Sequence, residues 1–451
     1  MSAQPARRIA LDVIMAVRDS DAYANLLLPV RLGRAKLSEA DAGLATELTY
    51  GTLRMQGYYD RIIAMAAGRD VDKIDPPILD VLRLACHQLL SMRVAQHAAV
   101  DESVELAKTV GSNSAVGFVN GVLRTITRTD ADVWRERVLA QAGSGEESLA
   151  LEYSHPLWVT RAFRQVLTAE GREGELEALL AADNVAPRVS IAALPGESTL
   201  EELDAHPAEF SPVGAILDGG DPLKLGPIRE GRARVQDEGS QLAALALSRA
   251  RPIIPGEQWL DLCAGPGGKA ALLGAEARGG GAILTANELI PARAELVRKA
   301  LAVFDAPPEV WELDGTTVGS LYPEAFDRIL LDAPCTGLGA LRRRPEARWR
   351  KQPSDVAGLG TLQAKLLASA IAALKPGGVL AYVTCSPHAA ETKSIVASVL
   401  RKADGVERLD TPGVLQSIVN EPLDLPEASH VQLWPHRHGT DAMFIQLLTK
   451  V

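Results

Sequence analysis

The chain has 451 residues, of which 47% are hydrophobic and 23% charged, with a formal net charge of −10. That length allows two or three domains with real cores, and the composition is ordinary for a soluble globular protein. No run of about 18 apolar residues marks a membrane span, and the acidic balance leaves no global field to draw in a polyanion, so any nucleic-acid role must rest on local basic patches.

The start, MSAQPARRIALDVIMAVRDSD, carries basic residues before apolar ones, but Asp12 and Arg18 break up any signal-peptide core. Ile9, Val13, Ile14 and Val17 recur at helical spacing. A cytoplasmic protein is expected. The same helical style continues through ADAGLATELTYGTLRMQGYYDRIIAMAAG, DPPILDVLRLACHQLLSM and AVGFVNGVLRTITR. Paired prolines near a helix start support the second of these. Residues 1–140 therefore read as an all-α bundle. Residues 1–145 hold 17 Lys+Arg against 17 Asp+Glu, so the whole acidic excess falls in 146–451.

AQAGSGEESLA (140–150) reads as a linker. Residues 150–232 mix a helix (HPLWVTRAFRQVLTAEG), a strand (PRVSIAAL) and a short helical piece (EELDAHPAE), which predicts a small α+β subdomain. From 233 to 451 the period changes. After the helix VQDEGSQLAALALSRA, buried apolar strands alternate with helices: QWLDLCAG, AILTANEL, EVWELDG, DRILLDAPC and GVLAYVTCS are separated by patterns such as PARAELVRKALAVF. That alternation predicts an α/β, Rossmann-like domain with a doubly wound parallel sheet, whose ligands sit beyond the carboxyl ends of its strands.

LDLCAGPGGKAALL (260–273) is a strand, a glycine loop and a helix. Gly265, Gly267 and Gly268 let backbone approach a ligand closely. NAD, FAD and S-adenosylmethionine sites share this signature; a P-loop is excluded by the spacing and by the absence of Ser or Thr after Lys269. Glu288, 27 residues after Asp261, ends the next strand and suits the two hydroxyls of a ribose. Asp314 and Asp332 end the third and fourth strands. The ordered set of acids fits a cofactor with a ribose, an adenine and a cationic amino acid tail, although an acid at any one strand end is also a common turn former.

Of the four cysteines, Cys86 reads as a buried apolar residue, while Cys263, Cys335 and Cys385 all fall at strand ends. No C-x-x-C pair and no zinc spacing occurs, so neither a disulfide framework nor a metal site is expected. Two thiols facing one pocket suit a redox pair, a metal site or a nucleophile with a helper. The metal lacks ligands, and a redox pair is more usually local in sequence. The third role answers a definite chemical problem. Carbon 5 of cytosine is too weak a nucleophile to take a sulfonium methyl until a thiolate adds at carbon 6.

LDLCAGPGGK, ANEL, LDG, LLDAPCTGLGALRRRPEARW and YVTCSPHAAET, in this order, resemble the RNA cytosine-C5 methyltransferases of the RsmB/Nop2/Sun group. The first 130 or so residues are similar to a NusB-type RNA-binding domain, a pairing characteristic of the subfamily that methylates small-subunit (16S) ribosomal RNA. The resemblance implies three parts: a NusB-like domain over 1–140, an α+β RNA-binding subdomain over 150–232, and a class I S-adenosylmethionine-dependent methyltransferase domain over 233–451. It implies that Cys385 is the nucleophile and that Cys335 assists release of the enzyme. It further implies that Cys263, Ala264, Gly265, Pro266, Gly267, Gly268 and Lys269 line the cofactor site, that Glu288 holds the ribose, and that Asp314 lies near the adenine. Asp332 would face the methionyl and target end. The departures are mild: Gly265 stands where alanine is more usual, Thr336 where serine is, and Thr392 where asparagine is frequent, while Glu391 is kept.

LRRRPEARWRK (341–351) is the strongest basic exception in the acidic half. Arg342, Arg343, Arg344 and Arg348 are expected to grip RNA phosphates, and Trp349 to pack. Arg7, Arg8, Arg31, Arg34 and Lys36 are weaker candidates, and His155 and His388 are given no role. Three rivals remain open: the same chemistry on tRNA or another RNA; an NAD-dependent oxidoreductase, which leaves both strand-end thiols idle; and a non-enzymatic RNA-binding assembly factor, which leaves the glycine loop unexplained.

Overall fold

A computed structural model describes residues 4–20 and 22–451. The chain forms two compact units. One comprises residues up to 164 with 172–186 and 341–351; the other comprises 165–171, 187–340 and 352–451.

The first unit is helical: α1 (Pro5–Asp19), α2 (Ala24–Ala35), α3 (Glu39–Arg54), α4 (Gln56–Ala67), α5 (Pro76–Leu90), α6 (Gln96–Val110) and α7 (Asn113–Thr127), followed by shorter helices. Ser38 caps α3 by accepting from the Asp41 N–H, and two prolines open α5, as its sequence predicts. The inward stripe of α5 includes Ile78, Val81, Leu82 and Cys86, which meet Leu11, Ile14, Tyr59 and Ile62 in one core. Cys86 is fully buried there.

Segment 341–351 folds into this unit although its neighbours in sequence on both sides lie in the other. Arg348 is the reason. It is 0% exposed; its Nη1 donates to the carbonyls of Arg54 (3.1 Å) and Ser154 (3.0 Å) and to Asn184 Oδ1 (2.9 Å), and its Nη2 to the Asp183 carbonyl (3.3 Å). Burial pushes the guanidinium down to about 10. Trp349 packs as expected, so close to Gly57 that a side chain there would collide with the indole.

The second unit holds two sheets. In the smaller, β1 (Val189–Ala193), β2 (His206–Pro207), β3 (Gly214–Leu217) and β4 (Ala233–Val235) pair in the order β2-β3-β1-β4. The segment 150–232, expected as a small α+β subdomain, is divided between the two units. Its helical part to 164 and 172–186 belong to the helical unit, while its strands join the second. The small sheet buries a core of little more than Ile191, Ala193, Leu203, Ala215 and Ala233, too little apolar surface to stand alone. It is tied to its neighbour helix, Glu238–Ser248, by a hydrogen bond from Gln241 Nε2 to Ser190 Oγ (3.2 Å).

The larger sheet contains β5 (Gln258–Asp261), β6 (Ile283–Asn287), β7 (Glu309–Trp311), β8 (Phe326–Asp332), β9 (Leu374–Thr384), β10 (Val406–Arg408), β11 (Val431–Gln432) and β12 (Phe444–Lys450). Its order is β10-β12-β9-β8-β5-β6-β7, with β11 beside β12. β5 to β9 are mutually parallel; β12 runs antiparallel to β9. Side chains alternate between faces, as the pleat demands. Val379, Ala381 and Val383 join one core, with helices Glu238–Ser248 and Gly268–Gly280; Leu380 and Tyr382 join the other, with helix Pro353–Ala373. That helix is long and apolar enough to cross a bilayer by length and composition, yet 44% of its apolar window is buried within the protein. The chain runs β5 to β6 to β7 in one direction and then returns to set β8 on the other side of β5. The crevice of a doubly wound sheet lies at this switch, above the carboxyl ends of β5 and β8.

Candidate active site

Each strand around the switch ends by delivering a polar residue. Asp261 is the last residue of β5, and Cys263 follows two positions on. Glu288 follows β6, Asp332 closes β8, Cys335 comes three residues later, and Cys385 directly follows β9. Asp314, expected at a strand end, lies three residues beyond β7 in an exposed turn. There its Oδ1 accepts from the N–H and hydroxyl of Thr316, which hold its carboxyl below the usual range.

The glycine loop is close-fitted. Gly267 has φ +107°, and a Cβ there would press against Ala300 of the helix Pro291–Leu301. The Gly265 N–H donates to Glu288 Oε2 (3.1 Å), the Ile290 N–H to Glu288 Oε1 (3.1 Å), and Arg293 Nη2 donates to the Gly265 carbonyl (2.7 Å). A methyl group on residue 265 would strike the Glu288 carboxylate. Glycine in place of the more usual alanine therefore has a local partner in this carboxylate. Each Glu288 oxygen keeps a second lone pair for a ligand hydroxyl.

Lys269 Nζ lies 2.9 Å from Asp332 Oδ2. Burial pushes this ammonium down, but Asp332, then Cys385 and Asp261, outweigh it, and the net shift is upward, so Lys269 stays charged. Asp261 is 0% exposed, and no side chain among the described residues hydrogen-bonds its carboxylate; the Cys263 backbone lies close enough to favour its charged form. Burial, reinforced by Asp332 and opposed by Lys269, pushes it up to about 8. Cys263 is pushed up by burial and by the negative charges of Asp261, Asp332 and Glu288, which keeps it a thiol.

The two expected reacting thiols meet. Cys335 Sγ lies 3.5 Å from Cys385 Sγ. The hydrogen bond to Cys385 comes first among the causes that push Cys335 up, followed by burial and by the negative charges of Cys385, Glu391 and Asp332. The Gly339 N–H donates to the Cys385 carbonyl (2.8 Å), and the Gly339 carbonyl accepts from the Ala442 N–H (2.8 Å). A side chain at 339 would collide with the Ala442 carbonyl, so the Cys335 loop threads a gap that only glycine fits.

A cradle of glycine backbone, an acid presenting two oxygens, and an ion pair beside a buried acid suit the ribose and the charged amino acid tail of S-adenosylmethionine. A family profile described as 16S rRNA methyltransferase RsmB/F matches residues 252–449, and the NusB family profile matches residues 4–128. A ribosomal RNA small subunit methyltransferase B of Pseudomonas putida is 31% identical over 418 residues, covering 90% of this chain and 91% of that protein. A putative methyltransferase of Mycobacterium tuberculosis is 48% identical over 452 residues, covering 99% and 97%.

This chain belongs to the RsmB/F methyltransferase family. It is an S-adenosylmethionine-dependent ribosomal RNA methyltransferase with an N-terminal NusB domain. The fold agrees with that membership. The crystal structure of PH0851 superposes with a TM-score of 0.81 at 22% identity over 100% of both chains, and that of a methyltransferase homolog protein from Pyrococcus horikoshii with 0.54 at 20%, covering 69% of this chain and 100% of that one.

Two groups of residues fall outside the expectation. Arg348, expected to reach phosphate, is a buried structural residue of the methyltransferase's helical unit. Arg342 is also buried, and Arg350 donates to the Val17 and Ala22 carbonyls. Arg344 stays exposed, over the Tyr23 ring at 5.6 Å, and Arg343 is half-buried. Among the weaker candidates, Arg7 is buried and bonded to Gln88, and Arg8 pairs with Asp12, whereas Arg31, Arg34 and Lys36 are exposed. Conversely, sequence reasoning gave no role to Asp261 or to Glu391, and the structure puts both inside the site. An acid directly after the apolar pair Trp259 and Leu260 was the available signal for Asp261; for Glu391 there was only its place in the loop SPHAAET. His155 and His388 are both pushed down by burial and stay neutral.

Proposed function

We propose that this methyltransferase modifies carbon 5 of a cytosine in 16S ribosomal RNA through a transient covalent bond from Cys385 to carbon 6. The observation that carries this reading is the pair of sulfurs 3.5 Å apart beside the Lys269–Asp332 pair. A simple methyl transfer from the cofactor needs no thiol, and a redox or metal role leaves Lys269 and Asp332 without a task.

When bound, S-adenosylmethionine supplies an electrophilic methyl group. Cys263 to Lys269 and Glu288 would hold its amino acid and ribose portions, and Asp314 would lie near its adenine. Cys385 attacks carbon 6 as a thiolate, and the Lys269 ammonium, close enough to feel that sulfur, favours its ionisation. The attack turns carbon 5 into an enamine-like carbon able to accept a methyl group. Asp332 can hold the ring by a hydrogen bond. Cys335 begins as a thiol, because Cys385 and nearby negative charge raise it. Once Cys385 is a thioether, its hydrogen bond and its negative charge no longer act on Cys335, which loses its proton to water more easily although burial, Glu391 and Asp332 still oppose this. Its thiolate takes the proton from carbon 5; the C–H electrons restore the 5,6 double bond, and the carbon 6–sulfur bond breaks to expel Cys385.

The target cytosine must leave its stack to reach such a site. Arg344 and Arg343 remain the basic-segment candidates for phosphate contacts, and action on ribosomal RNA suits a cytoplasmic enzyme. Tritium release from carbon-5-labelled cytosine in 16S rRNA, with S-adenosylmethionine required, tests the reading. Release from labelled tRNA but not from rRNA would move the substrate; methyl incorporation without tritium release would end the carbon-5 assignment.

A further inference from the structure

We infer that Glu391 is a positioning residue whose single carboxylate ties the loop after β8 to the loop after β9 and so sets the distance between the two sulfurs. The inference rests on the two-thiol reading above, and it concerns a side chain that touches neither sulfur by hydrogen bond.

Glu391 is 0% exposed. Its Oε1 accepts from the Thr336 N–H (2.8 Å) and from Gln363 Nε2 (3.3 Å); its Oε2 accepts from the hydroxyls of Thr336 and Ser386, the latter at 2.7 Å. Thr336 is the residue after Cys335, and Ser386 the residue after Cys385. The lever from anchor to sulfur is thus one residue long in each loop. The two hydroxyl oxygens lie 3.1 Å apart, so the three side chains close a compact ring. Gln363 Nε2 also donates to the Pro334 carbonyl (2.8 Å), which fixes its amide as donor and braces the Cys335 loop from its other side. The Glu391 carbonyl accepts from the Tyr382 hydroxyl (2.7 Å), anchoring the clamp to β9 itself.

This geometry requires an acceptor at Oε1, because the backbone N–H and the braced amide can only donate there. The two hydroxyls at Oε2 can turn. A glutamine at 391 can therefore reproduce the ring, with its carbonyl toward Thr336 N–H and its amide toward the hydroxyls. An alanine cannot, and it leaves buried donors unpaired. The spacing of the two loops therefore depends on the shape of Glu391, while its charge acts separately by helping to raise Cys335.

The test uses the full-length protein and a bis-alkylating thiol reagent, dibromobimane, with peptide mapping. The readout is the ratio of Cys335–Cys385 bridged product to singly alkylated product, which reports proximity and is independent of methyl transfer. Wild type and Glu391→Gln should bridge with ratios within about threefold of each other. Glu391→Ala should lower the ratio tenfold or more. Its kcat should fall about 100-fold, the loss that a misplacement of about 1 Å can cause, with KM for S-adenosylmethionine within threefold of wild type. If Glu391→Ala does not fold, the double variant Thr336→Val/Ser386→Ala removes both hydroxyls and should lower the ratio in the same direction. A ratio unchanged in Glu391→Ala, or in the double variant where that protein is used, overturns the inference. A wild-type enzyme that bridges readily yet releases no tritium would sink the cytosine reading instead, leaving the clamp intact.

Discussion

Cys335 Sγ lies 3.5 Å from Cys385 Sγ although 50 residues separate the two in sequence. Parallel pairing of β8 with β9 brings them together. Asp332 is in register with Val383, so each strand stops within three residues of its cysteine. Adjacent strands lie about 4.8 Å apart, and two loops leaving the same edge side by side need little further adjustment to bring their sulfurs into contact.

The Lys269–Asp332 pair should anchor the charged end of the cofactor. Asp332→Asn removes the anion facing Lys269 while keeping the volume. Binding of S-adenosylhomocysteine, measured by calorimetry, should weaken by about tenfold or more, or about 1.4 kcal/mol. Unchanged affinity would place the amino acid tail elsewhere.

Asp261 predicts a pH signature in stability. Its folded-state value of about 8 is set by burial and then Asp332, with Lys269 opposing and Glu288 adding to the rise; an unfolded aspartate titrates near about 3.9. The folded protein therefore holds a proton that the unfolded chain has released. The stabilisation is fully present below about pH 4 and is lost as pH rises toward 8, with a slope of up to about 1.4 kcal/mol per pH unit. Asp261→Asn should flatten the dependence of the denaturation midpoint between pH 5 and 8. Parallel wild-type and variant profiles would contradict it.

The basic segment divides into two kinds of arginine. Arg348→Ala strips donors from several buried carbonyls and should cost about 3 kcal/mol or more, read as a lower midpoint for the helical unit. Arg344→Ala should leave the midpoint unchanged but reduce the salt slope of RNA binding by about one. If Arg344→Ala leaves that slope untouched, the segment serves the fold alone.

Sequence and structure agree most closely where one residue's role follows from strand periodicity. The alternation of apolar runs with helices placed Glu288, Asp332, Cys335 and Cys385 at one edge because a parallel sheet leaves few other registers for them. Arg348 was misread for a physical reason: a run of arginines has the same composition whether it faces solvent or is drawn inward by backbone carbonyls, and those carbonyls belong to residues as distant as Arg54 and Asp183. The clamp at Glu391 was equally out of reach, since its donors come from three separate elements. The antiparallel pairing of β12 gave no crossover helix to announce it. The compact units divide the chain near 150–232 along other lines than the change of element type. A change in element type marked a change in local structure, whereas domain limits follow which apolar faces can bury one another.

The unequal duties of the two sulfurs are tested most directly by denaturing gel analysis of protein–RNA adducts in single-cysteine variants incubated with 16S rRNA and S-adenosylmethionine. Cys335→Ala should accumulate an adduct that survives denaturant, because attack and methylation proceed while expulsion stalls; Cys385→Ala should form none and transfer no methyl group. An adduct from Cys385→Ala, or methyl transfer by that variant at the wild-type rate, would contradict the assignment.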